Sequence, residues 1–380
     1  MIRGIFLFLL LLHGLIHLTG FAKAFKLADI PQLTLPITRT AGALWLLAAL
    51  LFITAAVLLV LQNNYWWLLA IPAVVLSQAL IIGAWADAKF GTIINVIAIA
   101  GIVLGWAHWN FQRLAAQERQ ALLAANTPTI EQISAEHLAG LPPVVQRWLT
   151  QAGVIGQPRI HTIYLQQRGT MRTAPDGQWM PFVAEQYFTT DPPGFVWTAE
   201  VQMMPLLRLK GIDIYRKGRG QMRIKALALV PVVNAAGPEI DQGTLLRYLG
   251  EICWFPTAAL HDYIRWEQIN EHTAQATMHY GEVTASGIFT FDTAGDMQSF
   301  TANRYYERKE GATLERWHIQ NTAIGELNGV RMPVQSEVTW QLTEGGYTWL
   351  KLEIADIQYN TIYDLQSPIH DFVKQAFENK

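Results

Sequence analysis

The stretch GIFLFLLLLHGLIHLTGFA fills residues 4–22 and contains no charged side chain. As a helix with a rise of about 1.5 Å per residue it would reach roughly 28 Å, close to the roughly 30 Å hydrocarbon core of a bilayer. Comparable apolar runs follow at residues 40–61, 65–86 and 92–111. The pattern therefore predicts four transmembrane helices within residues 1–112.

The charged side chains of this region support the same interpretation, because they lie between or beside the apolar runs. Residues 1–112 contain only these charged side chains: Arg3, Lys23, Lys26, Asp29, Arg39, Asp87 and Lys89. The first run is interpreted as a retained helix and not as a cleaved signal peptide, since three further apolar runs follow it.

The distribution of Lys and Arg predicts which side of the membrane the rest of the chain occupies. Four spans leave the N-terminus and the residues after 112 on the same side. The loop after the first run is the most basic short segment, with Lys23, Lys26 and Arg39. Because basic loops favour the cytoplasm, we expect the remaining residues to lie on the external side.

Charge and cysteine content exclude several classes of protein. The 380-residue chain has a formal net charge of −2 and one cysteine, Cys253. A nearly neutral chain offers no basic surface, so no nucleic acid partner is expected. One cysteine can form neither an intrachain disulfide nor a cysteine cluster for zinc or iron–sulfur. No cofactor is predicted.

The residues after 112, called the soluble part below, change their hydrophobic pattern once along the chain. Residues 113–156 predict a helical stalk and collar. From Ile160 to Ile357, eleven candidate strands with period-two alternation are separated by turn sequences such as Asn328-Gly329. Many strands with few helices predict an α+β fold, in which a four-helix transmembrane bundle precedes one large antiparallel curved sheet or half-barrel over residues 157–360 with a few covering helices.

An apolar insert interrupts the strand series. Residues 241–260 read DQGTLLRYLGEICWFPTAAL, which predicts a short helix that covers the open side of the sheet. The candidate ligand-binding residues are apolar side chains from this insert and from neighbouring strands: Leu246, Leu249, Trp254, Phe255, Trp197 and Trp266. At the C-terminus, residues 361–380 predict an amphipathic helix that docks on its own domain or lies on the membrane.

Three histidines lie in the predicted transmembrane helices. His13 and His17 share one helical face because their spacing is four residues. With His108 on the fourth helix, they are candidate haem or metal ligands; the interpretation favoured here is that neutral imidazoles form hydrogen bonds to neighbouring helices. Gly101 and Gly105 on the fourth helix have the G-x-x-x-G spacing that lets a partner helix approach closely.

The residue types needed for acid–base chemistry occur near the end of the apolar insert: Glu251, His261, Asp262 and Glu267. No nucleophile or phosphate-binding motif accompanies them in the sequence. Cys253 lies between Ile252 and Trp254 and is interpreted as a small buried hydrophobe. No catalytic residue is therefore predicted, and the soluble part is interpreted as a module without enzymatic activity.

Five phrases of the sequence resemble a family of uncharacterised bacterial multi-pass membrane proteins that carry a domain of unknown function. The phrases are LLHGLIHLTGFAKAF (residues 11–25), WADAKFGTIINV (85–96), LPPVVQRWL (141–149), LLRYLGEICWFPTAAL (245–260) and MQSFTANRYY (297–306). The resemblance runs along most of the chain and implies a bacterial inner membrane protein; the basic first loop then leads us to expect the soluble part on the periplasmic or external side.

More distantly, the strand series with its apolar insert resembles the half-barrel of the periplasmic lipoprotein carriers LolA and LolB. That resemblance implies an incomplete barrel around an apolar cavity. We therefore expect a membrane-anchored binding module that holds an apolar or amphipathic ligand, such as a lipid or a lipoprotein acyl chain. Two alternatives remain open: a haem- or metal-binding membrane redox protein, and a non-catalytic module that binds another envelope protein.

Overall fold

The computed structural model describes residues 2–205, 207–308 and 310–361. The chain divides into two compact units, Met1–Arg113 and Leu114–Lys380. The amphipathic helix predicted over residues 361–380 lies outside the described residues, apart from Thr361.

The first unit is built from apolar helices. Its helices are α1 (Ile2–Ala24), α2 (Arg39–Val60), α3 (Trp66–Gly83), α4 (Trp85–Ala88) and α5 (Gly91–Leu123), the last of which continues into the second unit. Among the described residues, α1, α2, α3 and α5 are long and apolar enough to cross a membrane. The prediction of four apolar helices at the N-terminus is confirmed.

Small residues let α1 and α2 approach each other closely. A Cβ atom added to Gly20 of α1 would lie 2.4 Å from Cδ2 of Trp45, and one added to Gly42 of α2 would lie 2.2 Å from Cβ of Ala24. Without a hydrophobic driving force between helices in lipid, such close contact is a main source of helix association.

The two glycines of α5 have a different role from the one expected of a G-x-x-x-G pair. A Cβ atom added to Gly101 would lie 2.2 Å from Cζ of Phe6, and one added to Gly105 would lie 2.7 Å from Cζ2 of Trp66. The two rings pack edge to face with centroids 5.6 Å apart. The glycines therefore make room for aromatic rings of α1 and α3, and the expected backbone approach at this pair is not what the contacts show.

The second unit is mainly antiparallel strands. Its helices are α6 (Ala135–Leu138), α7 (Pro143–Gln151) and α8 (Pro238–Glu251), and two 3-10 helices follow α8 at Ile252–Trp254 and Pro256–Leu260. Its strands are β1 (Thr162–Met171), β2 (Met180–Thr190), β3 (Pro193–Met204), β4 (Leu207–Arg216), β5 (Arg219–Ala226), β6 (Val230–Ala236), β7 (Ile264–Gln268), β8 (Thr273–Tyr280), β9 (Val283–Phe291), β10 (Met297–Arg308), β11 (Gly311–Leu327), β12 (Val330–Leu342) and β13 (Gly345–Tyr359).

The thirteen strands found among the described residues belong to one sheet. Its order is β6-β5-β4-β3-β2-β1-β13-β12-β11-β10-β9-β8-β7. Every pairing except that of β1 with β13 joins two strands that are consecutive in the chain, and β6 and β7 form the two edges. In that central pair Leu165 lies opposite Ile357, which joins the beginning and the end of the strand series. Because every other pairing is a local hairpin, this one pairing unites two meanders into a single sheet.

The sheet curls around α8. This helix contacts β4, β5 and β6 from one side of the strand order and β8, β9 and β10 from the other side. The β4–β5 and β8–β9 turns also meet, since Arg219 and Glu282 form an ion pair with a distance of 3.1 Å. The predicted antiparallel half-barrel with covering helices is confirmed, with thirteen strands in place of the eleven expected.

One large hydrophobic core fills the space between α7, part of α8 and the sheet. Trp148 of α7 contacts the rings of Trp266, Phe289 and Phe291, with centroid distances of 5.6 to 6.1 Å. The apolar residues of α7 recur at helical spacing, so one side of this short helix is buried and the other is exposed. The core therefore closes one region of the half-barrel completely.

Candidate functional site

A cavity of about 200 Å³ lies between α8 and the concave face of the sheet. Most of its wall is aromatic or aliphatic: Met171, Phe182, Trp197, Met222, Ile224, Trp254, Trp317, Ile319, Val338, Trp349, Leu350 and Leu352. A few polar side chains interrupt this wall: Gln167, Asp213, Arg247, Glu251, Arg304, Asn321 and Ser336. A concave apolar site with a few placed polar groups is the general form of small-molecule sites in proteins.

The helical repeat of α8 separates its core face from its cavity face. Arg247, Gly250 and Glu251 line the cavity, which fits their i, i+3 and i+4 spacing. Leu245 and Leu249 are fully buried in the hydrophobic core. A single helix therefore supplies both a packed face and the polar side of the site.

Arg247 is held in place by two carboxylates. Its Nη1 donates to Oδ2 of Asp213 at 2.7 Å and its Nε donates to Oε1 of Glu251 at 2.9 Å. Nε2 of Gln186 donates to the other oxygen of Glu251 at 2.9 Å. Burial raises the pKa of Glu251, while the Arg247 guanidinium opposes that shift. The network fixes the Arg247 side chain, which also lies over the Trp197 ring at 4.8 Å.

Arg304 of β10 is a second cation in the same cavity. Its guanidinium lies 4.7 Å above the centre of the Trp317 ring. Within the described part of the chain, no hydrogen bond or ion pair reaches this guanidinium. Burial lowers the pKa of Arg304 to about 10, so the side chain stays charged at neutral pH. A charged and half-buried group without a partner is costly unless something else binds it.

Four further polar atoms in the cavity wall lack a hydrogen-bond partner. They are Nε2 of Gln167, Oδ1 of Asp213, Nε1 of Trp317 and Nε1 of Trp349. Three of these atoms are N–H donors and one is an acceptor. Since most buried polar atoms in proteins are paired, such a concentration in one cavity indicates that a bound molecule or water completes the site.

The six residues predicted to bind a ligand fall into two groups. Trp197 and Trp254 line the cavity. Their indole N–H groups donate to Oε1 of Gln167 at 2.8 Å and to the carbonyl of Pro333 at 3.1 Å. The other four lie in the packed core and do not line the cavity: Leu246, Leu249, Phe255 and Trp266.

Sequence reasoning missed Arg304, Trp317 and Trp349 as cavity residues. A signal was present for Arg304, because the concave positions of β10 include the buried residues Phe300 and Ala302. A period of two continues that face to residue 304, where a charge would be unexpected in a filled core. A charged side chain in register with buried apolar residues indicates a polar site.

The four residues considered for acid–base catalysis do not form one cluster. Glu251 pairs with Arg247, whereas His261 stacks on Tyr263 with centroids 4.9 Å apart. Glu267 is exposed, and so is Asp262, the residue that follows His261. Cys253 is buried, and burial raises the pKa of its thiol, so it remains protonated as expected of a small hydrophobe.

The transmembrane histidines are partly brought together. The rings of His13 and His17 have centroids 4.6 Å apart, and Nε2 of each lies within hydrogen-bond distance of Oγ of Ser77, at 3.2 and 2.9 Å. Nε2 of His13 also lies 3.0 Å from Oδ1 of Asn95. This geometry favours polar packing between helices, the interpretation favoured from the sequence.

His108 does not join this pair. It lies thirteen positions after Asn95 on α5, which corresponds to roughly 20 Å along the helix axis. Among the described residues, no group of three or more His, Cys, Asp or Glu side chains is placed to hold a metal ion.

A larger cavity of about 550 Å³ lies beside the histidine pair in the first unit. Its wall includes Leu12, Ile16 and Phe90, whose side chains are exposed on the outside of the helices. In a membrane, lipid chains contact such side chains, so we interpret this groove as part of the lipid-facing surface. The enclosed cavity of the half-barrel is therefore the better candidate site.

Comparisons with known proteins identify a family and give no activity. The model of a family of unknown function, DUF6544, matches residues 131–352. No curated protein matches this chain. The sequence resemblance to an uncharacterised family is confirmed by the family match.

Two solved structures are similar to part of this chain. One is a LolA superfamily protein from Nitrosomonas europaea, with 12% identity, a TM-score of 0.35, and coverage of 58% of this chain and 95% of the other. The second is a DUF1329 family protein from Desulfovibrio piger, with 9% identity, a TM-score of 0.31, and coverage of 60% and 95%. Neither similarity assigns a ligand to this chain.

Proposed function

Since this chain belongs to the DUF6544 family, which is described as a family of unknown function, we propose its function from the geometry of the half-barrel. The protein is a membrane-anchored binding module that holds an apolar or amphipathic ligand, such as a lipid or an acyl chain, in the cavity beside α8. The observation that carries the proposal is the cavity itself, whose wall is mainly aromatic and aliphatic.

The size of the cavity limits what it accepts. Its volume of about 200 Å³ lies below the range of about 300–1,000 Å³ that is usual for ligand sites. The cavity therefore accommodates a small head group or part of an acyl chain and not a complete two-chain lipid. Flexible thioethers of Met171 and Met222 in the wall allow some adjustment to a ligand.

Four apolar helices support anchoring of this module in a bilayer. We propose the bacterial inner membrane, with the half-barrel on the periplasmic side. The support is the basic segment around the loop after α1, in which Lys26 is flanked by Lys23 and Arg39. An anchored module of this kind acts on molecules that reach it from the membrane or from a partner in the cell envelope.

Photolabelling with an acyl probe tests the proposed function. The full chain in lipid nanodiscs is exposed to hexadecanoic acid carrying a diazirine, illuminated, and digested for mass spectrometry. We expect label on peptides that contain cavity residues such as Trp317. Val338→Phe fills the cavity with a ring and is expected to lower this label at least about ten-fold, because a cost above about 1.4 kcal/mol is tenfold in affinity.

The matched control changes the opposite face of the same strand. Gln341 of β12 is exposed, so Gln341→Phe adds the same ring outside the cavity. It should leave the cavity label unchanged, and label on the transmembrane helices should be equal in all three proteins. Equal cavity label in Val338→Phe and wild type, or label on the transmembrane helices alone, would refute the proposed function.

A second candidate function is protein binding through the edge strand β6. Val230 and Val232 of this strand are 56% and 57% exposed, and an unpaired edge can take a strand from another protein. Pro231 between them removes one backbone donor and so limits such pairing. Crosslinking from a photoreactive residue at position 232 would capture an envelope protein if this function is correct, and would capture none if the cavity alone acts.

A further inference from the structure

The polar atoms of the cavity are unbalanced in favour of donors. Gln167, Trp317 and Trp349 each present an N–H group without a partner, and Arg304 presents a guanidinium without a hydrogen bond among the described residues. Among the buried side-chain atoms of the described residues, Oδ1 of Asp213 is the one acceptor in the wall without a partner. A purely apolar ligand would leave all of these donors unpaired in a poorly hydrated site, which is costly.

The local structure reserves space for the Arg304 side chain. A Cβ atom added to Gly243 of α8 would lie 3.1 Å from Nε of Arg304, so the absence of a side chain at this position admits the guanidinium. On its other side, the Arg304 guanidinium lies over the Trp317 ring, with 4.7 Å between Cζ and the ring centre. The guanidinium is thus held between α8 and β11, while its hydrogen-bonding edges remain available.

We propose that the cavity recognises the anionic oxygen head group of a single-chain amphiphile, and that the Arg304 guanidinium binds this head. The inference rests on the proposed function, because it specifies the ligand of the same cavity. Carboxylate and phosphate heads share the required chemistry: they offer several acceptor oxygens and match the fork of donors on a guanidinium.

The acidic groups of the cavity do not neutralise Arg304 by direct contact. Asp213 and Glu251 both direct a carboxylate oxygen at Arg247 and form ion pairs with that guanidinium. Attraction from these carboxylates reaches Arg304 only through space. With two cations and two carboxylates, the wall has no excess negative charge to repel an anionic head, and Arg304 is the cation that remains open to it.

The apolar wall accommodates the other part of such a ligand. Phe182, Trp197 and Ile224 contribute apolar side chains to the wall from β2, β3 and β5. A single hydrocarbon chain presents no polar group to these side chains and gains from their burial of its surface. A cavity whose wall is mainly apolar but also carries several unpaired donors therefore fits an amphiphile better than a polar metabolite.

Three probes of equal chain length test the head group. Hexadecanoic acid, hexadecanol and hexadecyl phosphate, each carrying the same diazirine, are compared with the full chain in phosphatidylcholine nanodiscs at about pH 8, where the carboxylic acid is ionised. In wild type we expect at least one anionic probe to label the cavity about ten- to a hundred-fold more than the alcohol, as expected for hydrogen bonds to a charged partner.

Variants of Arg304 connect this preference to one side chain. Arg304→Met keeps the length of the side chain and should abolish the preference, whereas Arg304→Lys keeps the charge and should retain part of it. Arg316 is exposed on the neighbouring strand β11, so Arg316→Met serves as the control and should leave the preference unchanged. A thermal unfolding midpoint equal to that of wild type establishes that each variant is folded.

The outcomes separate this inference from the proposed function. Equal cavity label from all three probes, or a preference unchanged in Arg304→Met, would overturn the anionic head while the binding module stands. No cavity label from any probe would overturn both. A preference for the carboxylate supports a fatty acid as the source of the head, and a preference for the phosphate supports a single-chain phospholipid.

Discussion

At the scale of single residues, His261 combines burial with an unpaired nitrogen. Its imidazole stacks on the Tyr263 ring at 4.9 Å, and its Nε2 atom is buried without a hydrogen-bond partner. Burial lowers the pKa of His261 to about 4, and the nearby Arg159 guanidinium adds to this shift, while Asp191 opposes it. The imidazole is therefore neutral in the folded protein at neutral pH.

This burial predicts a pH dependence of stability. The pKa of the His261 imidazole is 6.5 in the unfolded chain and about 4 in the folded protein. Between these two pH values the unfolded chain therefore binds this proton more strongly than the folded protein does. The stability contribution of neutral His261 is thus present above pH 6.5 and is lost as the pH falls towards 4. His261→Phe keeps the stack and removes the titration, so it should gain up to about 3 kcal/mol relative to wild type over this range.

The measurement compares unfolding midpoints of the two proteins by tryptophan fluorescence at each end of the pH range. Carboxylates elsewhere in the chain titrate over the same pH interval, but they contribute equally to both proteins. Only the difference in stability between His261→Phe and wild type is therefore interpreted. A difference that stays constant with pH would contradict the account of His261.

At the scale of elements, the α1–α2 pair depends on glycines at its interface. Gly20 faces the Trp45 ring so closely that an added methyl group would overlap several ring atoms, the nearest at 2.4 Å. Trp45 is buried, and its ring also contacts the His17 imidazole at 5.0 Å. The ring therefore has little room to move away.

Gly20→Ala is expected to destabilise the helix pair by about 1–3 kcal/mol, the usual cost of overpacking a well-packed interface. The readout is the thermal unfolding midpoint of the full chain in detergent. Gly83→Ala is the matched control, because nothing lies within 4 Å of a Cβ atom at this helical glycine. The control should be neutral or slightly stabilising through helix propensity. Equal unfolding midpoints for Gly20→Ala and Gly83→Ala would show that the close approach of α1 and α2 contributes nothing to stability.

At the scale of the whole molecule, the membrane side of the half-barrel is the main structural prediction left by the sequence. Cys253 is the only cysteine of the chain and is buried, so it does not interfere with labelling of introduced cysteines. Asp29 lies in the loop after α1, and Asp176 lies in the turn between β1 and β2; both are exposed.

We expect a membrane-impermeant maleimide to label Asp176→Cys in cells whose inner membrane is intact. Asp29→Cys should become labelled only after that membrane is permeabilised, because a basic loop favours the cytoplasm. Labelling of both variants after permeabilisation is the control for reactivity. The reverse pattern would place the half-barrel in the cytoplasm.

Local patterns in the sequence were sufficient to predict the elements. Runs such as Gly4–Ala22 exclude charges over the length of a bilayer, and hairpins such as Asn328-Gly329 carry their turn residues with them, with φ values of 47° and 78°. The β6 strand was missed because Val230 and Val232 are exposed on the edge and leave no alternating pattern. The helix in the insert was predicted because its leucines repeat at helical spacing.

The sequence by itself determined four apolar helices, an antiparallel β-rich unit and a helix inserted among its strands, since each depends on a periodicity within one segment. Only the tertiary structure decided which side chains meet in the cavity. Gln167, Arg247 and Arg304 lie on β1, α8 and β10, and the pairing of β1 with β13 and the curl around α8 bring them together. No local pattern contains that information, because the space left open depends on how distant strands close around one helix.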